Sequence, residues 1–109
     1  MTPARDFELL VLLAILRCAE EPYANRVREE LERGAGRSVT RGALYRTLDR
    51  LEAKGWIRWD LEPSLVPERG GHPMRRLVVT AVGLDAVRTQ RDLLRHFFSG
   101  LEPILGPRD

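Results

Sequence analysis

Residues 9–16 are apolar without interruption (Leu9, Leu10, Val11, Leu12, Leu13, Ala14, Ile15, Leu16), inside a stretch from residue 5 to residue 19 that holds neither Gly nor Pro. Such a stretch predicts a helix, and a helix that is apolar right around has to be covered on more than one side. A chain of 109 residues can build one small core and not two. Part of the cover can come from that core, and the remainder is most simply a second copy of the chain. An apolar run of eight residues falls short of the roughly 20 that cross a bilayer. Residues 1–6 lack the basic-then-apolar pattern of a secretory leader. Cys18 is the only cysteine, so no intrachain disulfide can form, and its place beside the apolar run predicts burial as a small hydrophobe. A reducing cytoplasm fits these features.

Beyond a break at Pro22, Tyr23, Val27 and Leu31 recur every four residues among charged side chains, which predicts a second, amphipathic helix stopped by Gly34 and Gly36. A short strand at residues 37–39 then leads to Thr40, a hydroxyl residue placed to cap a third helix running to about Lys54. In that helix Leu44, Leu48 and Leu51 share one stripe, Gly42, Arg46, Asp49 and Ala53 lie opposite, and Arg41, Tyr45 and Arg50 flank them. One face packs, and the other is free to touch something. Gly55 ends the helix. The alternation of residues 56–61 predicts a strand, residues 62–74 with their Pro and Gly a long loop, and residues 75–79 a second strand. Together they make a wing.

Thr80 can cap a last helix in which Leu84, Val87, Arg91, Leu94, Phe98, Leu101 and Leu105 follow a 3-4 spacing, a coiled-coil seam with one polar interruption, although Gly100 and Pro103 should end or fray it. The expected dimer face joins this seam (Leu84, Val87, Arg91, Leu94, Phe98, Leu101) to Phe7, Leu10 and Leu13 of the first helix in a two-fold homodimer. The fold class is therefore mainly α with a small β-hairpin. A winged helix-turn-helix spans residues 1–80, and a C-terminal dimerisation helix and tail spans residues 81–109, in one compact unit.

Net charge is only +2, but residues 37–76 alone carry +4 while the two flanks together carry −2. In a winged helix-turn-helix the third helix enters the major groove of double-stranded DNA and the wing follows the backbone. The helix N-terminus at Thr40, Arg41 and Gly42 suits a phosphate, with Gly42 allowing close approach. Arg46 and Arg50 can reach guanine edges, while Asp49 can accept from cytosine or pair with either arginine. Tyr45 can place its hydroxyl on a phosphate or its ring beside Leu48, and the two uses are compatible. In the wing, Arg69, Gly70, Gly71, His72, Arg75 and Arg76 combine backbone freedom with positive charge. Trp56 and Trp59 fall on opposite faces of a strand and cannot form one stacking platform; one is expected in the core. His72, His96 and Cys18 are scattered, so no metal site, no cofactor and no enzymatic activity are expected. The apolar first and last helices and the modest total charge support a second reading, a winged-helix protein-interaction module that binds no DNA.

The stretches Gly42-Ala43-Leu44-Tyr45-Arg46-Thr47-Leu48-Asp49-Arg50-Leu51-Glu52-Ala53-Lys54-Gly55, Glu68-Arg69-Gly70-Gly71 and Val79-Thr80-Ala81-Val82-Gly83 resemble the PadR family of transcriptional regulators, over about residues 7–95. The short C-terminal part resembles the one-helix branch of that family. The resemblance implies a dimeric repressor of its own or a neighbouring operon, a transporter operon among the candidates, with a small-molecule effector as a further partner. It also implies a phosphate contact from Tyr23, although this chain has Tyr23-Ala24 where the family commonly has Tyr-Gly. On the second wing strand Met74-Arg75-Arg76-Leu77 stands where the family has basic residues followed by an aromatic Tyr.

Overall fold

The computed structural model describes residues 6–36, 38–62 and 74–107. Five helices and one hairpin follow in the order α1 (Asp6–Arg17), α2 (Ala24–Ala35), α3 (Arg41–Ala53), β1 (Ile57–Glu62), β2 (Met74–Val79), α4 (Ala81–Phe98) and α5 (Glu102–Leu105). The expected mainly helical fold with a small antiparallel hairpin is what the structure shows. Among the described residues no helix is long and apolar enough to cross a membrane.

The core forms where α1, α2, α3 and the hairpin meet. Val11, Leu12, Ala14 and Ile15 of α1 pack with Val27 and Leu31 of α2, Leu44, Leu48 and Leu51 of α3, and Val39, Trp56, Ile57 and Leu77. This burial covers only one side of α1: Leu10, Leu13 and Leu16 remain about 40 % exposed, at 41, 37 and 41 %. Three of the eight residues of the apolar run are thus left exposed, as its all-round hydrophobicity leads one to expect. Arg17 reaches across to Glu30 of α2 at 2.6 Å, and this hydrogen bond holds the Glu30 carboxyl below the usual carboxylate range. The pair therefore supports folding above that range and loses its contribution as pH falls through it. Burial, with Glu30 nearby, pushes the half-buried Cys18 thiol up, so it stays protonated at neutral pH.

One sequence expectation is corrected. Residues 38–40 form no strand; Val39 donates its amide to the Glu32 carboxylate instead. The extra rung beside the hairpin comes from the chain before α2, where Leu77 donates to the Pro22 carbonyl and Tyr23 bridges Arg76. The last helix stops where its glycine leads one to expect: α4 ends at Phe98, Ser99 leaves the helical conformation and Gly100 follows with a φ of +86°, so Leu101 and Leu105 lie beyond the break.

The junction of α3, β1 and α4 is built without side chains on one side. Thr80 caps α4 by accepting from the Gly83 amide at 3.0 Å, and its hydroxyl donates to the Gly55 carbonyl at 2.6 Å. Its amide meets the Trp56 carbonyl at 2.9 Å. Gly83 then lies so close to that carbonyl that a Cβ would stand 2.1 Å from the oxygen. No backbone atom there has a flexible end that can give way. Gly83→Ala is therefore expected to cost about 3 kcal/mol, read as a lower urea midpoint at an unchanged slope; an unaltered midpoint would show that the junction yields.

Candidate nucleic-acid interface

The exposed face of α3 begins at its cap. Thr40 accepts from the Ala43 amide at 3.1 Å, as its position before the helix predicts. This fixes the first turn, whose remaining amides and positive dipole end point outward beside Arg41 and Gly42. Leu44, Thr47, Leu48 and Leu51 face the core, and Arg41, Gly42, Tyr45, Arg46 and Asp49 are left on the outer side. The Arg46 guanidinium folds back over Gly42, where an added Cβ would lie 3.3 Å from Nη1. Gly42 therefore leaves room for this arginine as well as for an approaching phosphate. Among the described residues neither Arg41 nor Arg46 has an ion-pair partner, and Asp49 pairs with neither flanking arginine.

The hairpin brings a further cation to the same side. Its register pairs Ile57 with Val79, Trp59 with Leu77 and Leu61 with Arg75, so these residues share the inner face of the two strands. The Arg75 guanidinium stacks on the Trp59 ring, 4.3 Å from its centroid. Tyr45 and Asp49 of α3 and Trp59 and Arg75 of the hairpin line one cleft, with Ala24 at its edge. Trp56 precedes β1 and is buried, so one of the two tryptophans belongs to the core and the other carries the stacked arginine.

Two expected members of this surface point elsewhere. Arg76 lies on the outer face of the hairpin and donates to the Glu20 carbonyl at 3.2 Å. Arg50 donates to the Thr47 hydroxyl at 3.1 Å and approaches the Glu8 carboxylate at 3.7 Å. Tyr23 is half-buried where the chain bridges Arg76. Arg69, Gly70, Gly71 and His72 lie outside the described residues.

Glu8 was not singled out by the sequence. It is 1 % exposed and holds Lys54 through both oxygens, at 3.0 and 3.1 Å. The signal was present in the helical spacing of residues 8, 12 and 15, which puts the carboxylate on the stripe of Leu12 and Ile15. Lys54 in turn lies over the Trp56 ring, 4.6 Å from its centroid.

A second surface is apolar. Leu9 and Leu13 of α1 with Val87, Arg91, Leu94, Arg95 and Phe98 of α4 form an open groove of about 410 Å³. Five of the nine residues expected at a dimer face meet here. Leu10 stands on the far side of Leu13, in a groove shared with α2, and Phe7 packs beside Val39 and Thr40. Leu84 is half-buried at the start of α4, and Leu101 stands past its end.

A capped helix with a basic outer face, two supporting helices before it and a hairpin after it define a winged helix-turn-helix. No family profile and no curated protein sequence matches the chain. Solved structures do. A PadR-like transcription factor from Bacteroides fragilis is 19 % identical with a TM-score of 0.71, covering 90 % of this chain and 88 % of that one. RosR from H. salinarum is 25 % identical with a TM-score of 0.69, covering 88 % and 78 %. F93 from STIV, described as a winged-helix DNA-binding protein, is 15 % identical with a TM-score of 0.67, covering 91 % and 98 %. The chain thus has the fold of PadR-like transcriptional regulators, in keeping with its sequence resemblance to that family.

Thr40→Ala removes the side-chain partner of the Ala43 amide. The expected loss is about 1 kcal/mol by urea unfolding, and no loss would mean that water satisfies that turn equally well.

Proposed function

We propose that this protein is a sequence-specific transcriptional regulator that binds double-stranded DNA as a homodimer. The observation that carries the reading is the outer face of α3, where the capped N-terminus, Arg41, Gly42, Tyr45, Arg46 and Asp49 lie together with no ion pair to Arg41 or Arg46 among the described residues. Thr40, Arg41 and Gly42 receive a phosphate at the helix start, and Tyr45 adds a hydroxyl to the backbone contact. Arg46 and Asp49 read base edges one turn further along. Arg75 holds the adjoining strand to a phosphate, and Arg69, Gly70, Gly71 and His72 extend that contact along the wing. Tyr23 sits beside it. The likeness to solved transcriptional regulators and to a winged-helix DNA-binding protein supports this reading.

Dimerisation follows from the apolar surface that the single chain leaves open. Leu94 and Phe98 are 44 and 56 % exposed on α4, facing the groove against α1. A two-fold contact burying them also sets the spacing of two α3 helices on DNA. The regulator acts in the cytoplasm as a repressor of its own or a neighbouring operon, a transporter operon among them, and a small-molecule effector relieves it.

At low salt the protein is expected to bind even a random duplex, since phosphate attraction is strongest there. Complete absence of binding would favour the protein-interaction module suggested by the exposed apolar helices. Within the DNA reading, Arg46→Ala should abolish preference among sequences selected from a random pool, and Arg75→Ala should weaken all duplexes alike with a salt slope lower by about 1. If both variants select and bind like the wild type, the roles are misassigned. Leu94→Asp is expected to convert the dimer to a folded monomer in sedimentation; a persisting dimer would place the contact elsewhere.

A further inference from the structure

The buried acid of α1 meets the recognition helix on a side of its own. Glu8 is 1 % exposed, and an ionised carboxylate at that depth requires cationic partners. Among the described residues two cations reach it from the C-terminal end of α3. Lys54 Nζ binds Oε1 and Oε2 at 3.0 and 3.1 Å, and Arg50 Nε stands 3.7 Å from Oε2. Thr47, Arg50 and Lys54 recur at three and four residues and so form one stripe of α3 turned toward α1. Arg50 donates to the Thr47 hydroxyl, which itself donates to the Ala43 carbonyl at 2.9 Å, and faces the Glu8 carboxylate of α1. Helical spacing alone allows Arg50 to join Arg46 on the outer face, one turn away. The packed structure takes the other choice.

We propose that Glu8 is a positioning residue for DNA recognition: it ties the C-terminal half of α3 to α1 and withholds Arg50 from the duplex, leaving base reading to the N-terminal half. The proposal rests on the DNA-binding reading above and deepens it. α1 also carries the open face of Leu10, Leu13 and Leu16, so the tie fixes the reading helix directly to the helix on which a second copy docks. Lys54, held over Trp56 and thereby beside the Gly83 junction, extends the same link to α4.

The test is the salt dependence of binding to a mixed-sequence 24-base-pair duplex, followed by fluorescence anisotropy. Glu8→Gln keeps the shape of the side chain and removes its charge, which frees Arg50 to meet a phosphate. The slope of log affinity against log salt should steepen by about 1, and Glu8→Gln combined with Arg50→Ala should return it to the wild-type value. A folded Glu8→Gln protein with an unaltered slope overturns the proposal, because a purely structural acid has no reason to change the count of phosphate contacts. Should that variant fail to fold, the wild type decides. The Arg50 Nε–H resonance is expected to exchange slowly with water and to keep its position on addition of the duplex, while those of Arg41 and Arg46 move. Movement of Arg50 with the other two overturns the proposal and leaves the DNA reading intact. A wild-type protein that binds no duplex removes both, and is thereby told apart from failure of the Glu8 tie alone.

Discussion

The rest of the structure hangs on how α1 is covered. A helix apolar on every side is stable in water only when it is enclosed, and this domain supplies half of the enclosure. Val11, Leu12 and Ile15 face inward at 0–3 % exposure and gather α2, α3 and the hairpin around them. The outward leucines stay open. Hydrophobic burial is worth about 25 cal/mol per Å², so an uncovered helix flank of this kind is a standing drive toward association. The same drive applies to α4, whose second half touches none of the core and is exposed throughout.

The polar groups follow from that arrangement. With α1 inside, its Glu8 is carried inside too, and the cost is offset by Lys54 at 3.0 Å and by Arg50, which approaches at 3.7 Å while its side chain stays 44 % exposed. Arg41 and Arg46 stand near the positive dipole end of α3, and Arg50 and Lys54 near the negative end, where cations are favoured by the macrodipole. The hairpin carries Arg75 on its inner face and Arg58 and Arg76 on its outer face, and of these three only Arg75 shares a cleft with α3.

Local signals in the sequence carried much of this. The helix order, the caps at Thr40 and Thr80, the stops at Gly36 and Gly55 and the core stripe of α3 depend on neighbours within a turn or two, and each appears in the structure near its expected place. What was not legible depends on distant partners. An acid in the first turn of a helix reads as a partner for the dipole, and the burial of Glu8 is decided by Lys54, 46 residues away. The rung beside the hairpin fell to Tyr23 and not to residues 38–39 because it requires knowing which segment runs alongside β2. The stop at Gly100, by contrast, was legible, since it depends on one residue's own backbone. Arg50 and Arg76 illustrate the same limit at the candidate interface, where spacing tells which side chains can reach a surface and packing tells which do.

The contact of Gly83 with the Trp56 carbonyl has a mechanical side. α4 leaves the domain at that point and runs for roughly 27 Å, so the glycine is the fulcrum of a lever whose far end holds Leu94 and Phe98. A tilt of ten degrees about such a fulcrum sweeps Phe98, roughly 23 Å away, through roughly 4 Å. The angle at which α4 departs from one missing methyl group thus governs how far apart a pair of these domains would hold their α3 helices.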